Sequence, residues 1–125
     1  MTTTIGYILA GLIAAAIIFI GARFILAPRT AAAGYGVPAD PDQPSVSAYL
    51  SVKGIRDITS GLFVVILMIN GATELLAWII LAATLIPVAD AAIVLRNGGP
   101  KATAFGVHGG TAVVMLITTA LLGVS

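Results

Sequence analysis

The sequence predicts an all-α fold, an integral membrane four-helix bundle with a long cytoplasmic loop between the first and second helices. The chain of 125 residues is 59% hydrophobic and only 9% charged, whereas soluble domains carry about 25% charged residues. Its apolar residues form four stretches, and each is about long enough to cross a hydrocarbon core of about 30 Å as a helix. We therefore expect a single domain, residues 1–125, without a separate soluble module.

The first predicted span and the loop after it differ sharply in composition. The span covers about residues 5–26, and its apolar stretch is too long for a cleaved signal peptide, so we expect it to be retained. The loop, residues 28–48, contains four prolines and two glycines and is not one regular element. A loop of this length is either an ordered lid that packs on the membrane surface or a disordered linker.

The second predicted span, about residues 52–71, begins with charged residues. The uncharged run 58–69 would reach only about 18 Å as a helix, so a spanning helix draws Lys53, Arg56 and Asp57 to the membrane surface or below it. Residues three and four apart share one helix face. We expect these three side chains and Ser60 to form a polar stripe that faces the inside of the bundle.

The last two predicted spans each carry one ionisable residue near the same connection. The third covers about residues 73–95, with a kink expected at Pro87 and with Asp90 three residues later. The fourth covers about residues 103–123, with His108 near its start. Because the connection between them is short, the two helices must be antiparallel neighbours. We therefore expect the side chains of Asp90 and His108 to lie at one depth and within reach of each other.

The basic residues predict the orientation in the membrane. All six lie on the 1–2 and 3–4 connections or at the adjoining helix ends: Arg23, Arg29, Lys53, Arg56, Arg96 and Lys101. Cytoplasmic loops carry the excess of Lys and Arg. We therefore expect a multi-pass protein of the cell membrane with both connections in the cytoplasm and both termini outside it.

This topology places ionisable groups from four helices in one layer, about 5–8 Å below the cytoplasmic boundary. A charge at that depth costs up to a few kcal/mol unless it is paired or faces a wet cavity. The sequence thus predicts a polar pocket that opens towards the cytoplasm beneath the 28–48 loop.

The candidate catalytic residues are Asp90, His108 and Asp57. A histidine beside carboxylates in a confined pocket is a candidate proton carrier, because its protonation changes near neutral pH. Simpler alternatives stay open: His108 as a hydrogen-bonded packing residue, and Asp57 as the ion-pair partner of a neighbouring base. The candidate substrate-binding residues are Arg23, Arg56, Lys53, Tyr35 and Tyr49. For the basic ones, the alternative is that they extend to the lipid headgroups.

Several kinds of site are excluded or not expected. The chain has no cysteine and one histidine, which excludes disulfides, thiol chemistry and bis-histidine haem ligation. No phosphate-binding glycine motif is present, and we expect neither a cofactor nor a metal site. The basic residues are assigned to membrane topology, so nucleic acid is not an expected partner.

Five blocks of the sequence carry a resemblance to a known family: ARFILAP-R, GYGVP, VKGIRDITSG, IPVADAAIVLRNGG and GVHGGTA. The chain resembles an uncharacterised family, a domain of unknown function, of small four-span membrane proteins from bacteria and fungi that is distantly similar to DoxX-like proteins. The resemblance covers about residues 23–122 and implies a four-helix membrane bundle. It transfers no activity, and the DoxX-like similarity hints at quinones or other lipophilic partners only by analogy of fold.

Three functions are compatible with these features. The first is acid–base catalysis, such as isomerisation or cyclisation, on a lipophilic small molecule, or binding of that molecule, with Arg56 or Arg23 stabilising an oxyanion. The second is a subunit or regulator of a membrane complex. The third is a small transporter, although transporter sites usually lie at the membrane midplane. The lipid bilayer is a partner in all three, and a homo-oligomer is also considered.

Overall fold

The computed structural model describes residues 1–123, so the last two residues of the predicted domain, 124–125, lie outside the described part. Within it all regular structure is helical, which confirms the predicted all-α class. The helices are α1 (Thr2–Leu26), α2 (Pro28–Tyr35), α3 (Pro44–Ile69), α4 (Thr73–Ala83), α5 (Leu85–Arg96) and α6 (Gly110–Gly123), with a π-helical segment, Ala102–Gly109, leading into α6.

Three helical stretches are long and apolar enough to cross a membrane: Thr2–Leu26, Thr73–Arg96 and Ala102–Gly123. Large apolar side chains on them face outwards, such as Leu12, Phe19 and Trp78, each more than 60% exposed. A continuous apolar surface of this kind is unfavourable in water, which indicates a membrane protein. Helix α3, with 26 residues, is as long as these three stretches. It differs from them in composition, because three charged residues lie near its middle.

The predicted 28–48 loop is mostly helical, so the expectation of one long loop is wrong in detail. Pro28 and Pro44 each stand in the first turn of a helix, α2 and α3. Proline is favoured there because its missing N–H has no helical acceptor and its φ angle already suits a helix. Only residues 36–43 lack helical structure. As a result α3 begins eight residues before the predicted start of the second span.

The third predicted span is broken into α4 and α5 at Thr84, close to the expected kink. Pro87 has no N–H to donate to the carbonyl of Ala83, so the helical hydrogen-bond pattern is interrupted one turn before the proline. The hydroxyl of Thr84 donates to the carbonyl of Ile80 at 2.8 Å. This bond gives the buried hydroxyl of Thr84 an acceptor at the point where the helix is interrupted.

Small residues allow α1 and α3 to pack with their backbones close together. A Cβ atom at Gly21 would lie 2.5 Å from the carbonyl oxygen of Gly54, and a Cβ at Gly54 would lie 2.6 Å from that of Gly21. Further along, a Cβ at Gly61 would lie 3.0 Å from the carbonyl oxygen of Ala14. These pairs run in opposite order along the two helices, so α1 and α3 are antiparallel.

At the other end of α1 the contacts are with α4 and α6. Gly6 packs against Leu122, and the hydroxyls of Tyr7 and Thr73 are hydrogen-bonded at 2.8 Å. The start of α1, the start of α4 and the end of α6 therefore lie together. The opposite end, here called the basic end, gathers the six basic residues because α1 and α5 finish there and α3 and the π-helical segment begin there.

We expect Gly21→Ala to lower the stability of the protein. The added methyl group would meet the carbonyl oxygen of Gly54 and Cγ1 of Ile58 at 2.8 Å or closer, and such overpacking costs about 1–3 kcal/mol. Thermal unfolding in dodecyl maltoside, followed by circular dichroism, measures this. The control is Gly110→Ala, whose Cβ meets no atom within 4 Å. Equal unfolding temperatures for the two variants would contradict the close packing of α1 and α3.

Candidate functional site

Tyr35, at the end of α2, joins the two residues that the sequence singled out on the last predicted spans. Its hydroxyl donates a hydrogen bond to Oδ1 of Asp90 at 2.7 Å. Its backbone carbonyl is bonded to Nε2 of His108 at 2.8 Å, and the Tyr35 and His108 rings lie 4.7 Å apart. Side chains from α2, α5 and the π-helical segment therefore form one cluster.

The partner of Nε2 fixes the protonation pattern of His108. A carbonyl oxygen only accepts hydrogen bonds, so Nε2 carries the proton and donates it. In the neutral ring Nδ1 is then an acceptor, and it faces Oδ2 of Asp90 at 3.9 Å. This distance is too long for a hydrogen bond, and two acceptors do not bond to each other. A proton added to Nδ1 or to Asp90 would create the missing donor.

Glycines position the backbone of this cluster. Gly36 ends α2 with a φ of 108°, a left-handed conformation that glycine adopts without strain. It packs tightly against Val94 of α5 and Thr103 of the π-helical segment, where a Cβ would lie 2.9 Å and 3.1 Å from side-chain atoms. The close approach holds the end of α2, including the carbonyl of Tyr35, against the helices that carry Asp90 and His108.

A second group of polar residues lies next to Tyr35. Nζ of Lys53 is 3.0 Å from Oδ2 of Asp57 on the next turn of α3. The same ammonium group lies 4.7 Å from the ring centroid of Phe24 and 5.2 Å from that of Tyr35, within the range of cation–π attraction. Lys53 thus touches the Tyr35 cluster while it neutralises Asp57, so the predicted ion pair of Asp57 is formed with Lys53.

The environment of Tyr35 opposes ionisation of its phenol. Burial is the largest cause that raises the pKa of Tyr35 above its usual value, followed by the hydrogen bond to Asp90 and by the charges of Asp90 and Asp57. Burial disfavours the charged form, and a donated hydrogen bond favours the neutral phenol. At neutral pH Tyr35 is therefore a stable donor to Asp90.

A groove of about 350 Å³ opens beside these residues, between α3 and α5. Lys53, Asp57 and Ser60 give it a polar lining, whereas Val52 and Ile86 give it an apolar one. Arg56 and Tyr49 also line it. We name it the α3–α5 groove. Its polar lining meets the Tyr35 cluster at Lys53.

The predicted site residues do not all come together. Asp57, Lys53, Tyr35, Asp90 and His108 form the connected network described above. Arg56 and Tyr49 are exposed at the groove, so the stripe of α3 does not turn inwards as a whole. Arg23 is half-buried and does not line the groove. Neither arginine forms an ion pair within residues 1–123.

Two features of the site were missed in the sequence. The sequence predicts a substrate-binding role for Tyr35, whereas the structure shows that it links Asp90 and His108. This link depends on α2, a helix within the segment that the sequence predicts as a loop. The π-helical form of Ala102–Gly109 was also not predicted, and such turns often occur at functional sites. The adjoining Gly98-Gly99-Pro100 and Gly109-Gly110 were the only local signal of irregular backbone.

The long apolar helices and the polar network held at one end are features of a small multi-span helical membrane protein. The chain belongs to the family described as domain of unknown function DUF4267, whose model matches residues 14–122. This finding confirms the resemblance to an uncharacterised family and carries no activity with it. Comparisons with curated proteins and with solved structures found no significant match.

The raised pKa of Tyr35 predicts that this tyrosine loses its proton at an unusually high pH. The chain has three tyrosines, and an exposed one ionises near pH 10. In an absorbance titration of the folded protein, Tyr35 should therefore ionise above this range. Because the unfolded chain releases this proton first, stability should fall as the pH rises above about 10.

Two variants assign the titration steps. Tyr35→Phe should remove the ionisation step at high pH, and Tyr49→Phe, which changes a side chain that is 75% exposed, should leave that step in place. An ionisation step at high pH that persists in Tyr35→Phe would belong to another tyrosine. It would contradict the raised pKa of Tyr35 that burial and Asp90 cause.

Proposed function

We propose that the protein binds a lipophilic small molecule in the α3–α5 groove and carries out acid–base chemistry on it, such as an isomerisation or a cyclisation. The connected network of Asp57, Lys53, Tyr35, Asp90 and His108 beside this groove is the observation that carries the proposal. Ionisable groups are rare in this chain, and polar groups gathered within apolar helices mark functional sites. Chemistry is thus the function that best accounts for their position.

The proposal includes a membrane arrangement with four spans. Helix α3 would be the fourth span, because its Lys53–Asp57 pair neutralises two of its three charges and Arg56 sits near the basic end. That end would face the cytoplasm, since it carries every Lys and Arg of the chain. Both termini would then lie on the non-cytoplasmic side.

The shape of the groove supports a lipophilic ligand. It is bounded by one helix on each side, so a molecule dissolved in the bilayer could enter sideways between α3 and α5. Its apolar part would contact Val52 and Ile86, and its polar head would lie at Lys53, Arg56 and Asp57. Carbonyl or carboxylate heads suit this end best, because two basic side chains attract the negatively charged oxygen.

In the proposed reaction, the role of each residue follows from its position relative to the groove. Asp57 lines the groove and is placed to take a proton from a bound molecule. Arg56 and Lys53 would stabilise the oxyanion or enolate that results. The cluster of Tyr35, Asp90 and His108 does not line the groove but is connected to it through Lys53. This cluster would hold the proton. Arg23 has no part in this scheme because it does not reach the groove.

Blocking the groove should abolish ligand binding. Ile86 lines the groove and is 48% exposed, whereas Ile93 on the same helix is 45% exposed and lies outside it. We expect a decyl-tailed quinone or decanoate to raise the unfolding temperature of the wild type and of Ile93→Trp, but not that of Ile86→Trp. A bound ligand at a hundredfold excess over Kd stabilises by about 2.7 kcal/mol.

Two outcomes of this experiment would contradict ligand binding in the α3–α5 groove. Equal stabilisation of Ile86→Trp and Ile93→Trp would place the ligand elsewhere. If neither probe stabilises the wild type, the groove does not bind lipophiles with carbonyl or carboxylate heads, and this part of the proposal is wrong.

Acid–base chemistry should be visible as hydrogen exchange in a simple ketone. With tridecan-2-one in heavy water, a base removes a proton next to the carbonyl, an enolate forms, and a deuteron returns to the same carbon. Mass spectrometry measures the deuterium incorporated. General-base catalysis contributes about 10²–10⁴-fold, so Asp57→Asn, Asp90→Asn and His108→Ala should each lower the catalysed rate at least about tenfold.

Asp40→Asn is the matched control, because Asp40 is a surface carboxylate that pairs with Arg29 at 3.1 Å. Its exchange rate should equal that of the wild type. Exchange in the wild type no faster than in empty micelles, or unchanged rates in the three variants, would refute acid–base catalysis by this network.

A further inference from the structure

A second groove lies at the end of the protein opposite to the basic end. It occupies about 470 Å³ between α4 and α6, which makes it larger than the α3–α5 groove. Leu81 and Leu122 line it from the two helices, together with the hydroxyl-bearing residues Thr73 and Thr119. Glu74 and Trp78, one turn apart on α4, complete it.

Glu74 is the residue in this groove that needs an explanation. In the part of the chain that the structure describes, it is the only charged side chain near this end, and every Lys and Arg lies at the other end. It forms no ion pair within residues 1–123. Its place in the first turn of α4 suits a carboxylate, since a helix N-terminus attracts negative charge. The exposed indole of Trp78 lines the same groove.

We propose that this groove binds a lipophilic monovalent cation, such as an alkylammonium or alkylpyridinium ion. The Glu74 carboxylate would neutralise the charge, and the Trp78 indole would add cation–π attraction, for which tryptophan is the best side chain. Leu81 and Leu122 would contact the alkyl chain. A divalent metal ion fits poorly, because such ions take several oxygen ligands, and the described residues that line this groove include one carboxylate. This site does not depend on the proposed function of the α3–α5 groove.

The only tryptophan of the chain, Trp78, reports directly on this site. N-decylpyridinium quenches indole fluorescence on contact and serves as the probe, with the protein in dodecyl maltoside. We expect saturable quenching in the wild type. Glu74→Gln should weaken the apparent affinity by up to about fivefold, the upper end of what one exposed ion pair contributes. Glu74→Lys should abolish the saturable component, because it repels the cation.

The controls separate binding from partition into the micelle. Decyl nicotinate, a neutral pyridine with the same tail, should quench the wild type and Glu74→Gln alike. Asp42→Asn changes an exposed carboxylate at the basic end and should leave pyridinium binding unchanged. Quenching that never saturates, or that is equal in the wild type and both Glu74 variants, would overturn the proposal. The unchanged emission maximum of each variant without probe verifies that the groove is intact.

Discussion

The close contact between α1 and α3 is the constraint on which the polar network depends. Because Gly21 and Gly54 have no side chains, the two backbones meet, and the residues next to them are held at fixed positions. Lys53 precedes Gly54, and Phe24 follows Gly21 by one turn, so the ammonium group of Lys53 lies over the Phe24 ring. From there it reaches Asp57 at 3.0 Å. Larger residues at either glycine would separate the helices and with them the ion pair.

Tyr35 extends this network from α1 and α3 to the other half of the molecule. Its ring faces the Lys53 ammonium on one side and the His108 ring on another, while its hydroxyl and carbonyl bond Asp90 and His108. A short helix between two long ones therefore does more than connect them. The small core of Phe24, Ala31 and Ala32 packs α2 against the end of α1, which holds Tyr35 beside the apolar helices.

The sequence predicts those parts of the site that follow from helix geometry alone. Equal distances from a short connection place Asp90 near His108, and a spacing of four residues places Lys53 near Asp57. The sequence does not predict the position of Tyr35. Proline breaks a helix in its interior but favours the first turn, so the same residues at 28 and 44 indicate either a loop or two helix starts. Only the packing of the intervening residues decides between them.

The charges of the network bear on the acid–base chemistry proposed for it. The network contains two carboxylates, Asp57 and Asp90, and among residues 1–123 Lys53 is the basic side chain that pairs with one of them, Asp57. A net charge held away from water is unfavourable unless it is neutralised. Tyr35 does not supply the missing positive charge, since it donates a hydrogen bond and keeps its proton. Nδ1 of His108 and Oδ2 of Asp90 face each other at 3.9 Å, and in the proposed chemistry a transferred proton would lie between these two atoms. A molecule in the α3–α5 groove would, on this proposal, give its proton to Asp57, and the paired acceptors of Asp90 and His108 would receive it beyond Lys53.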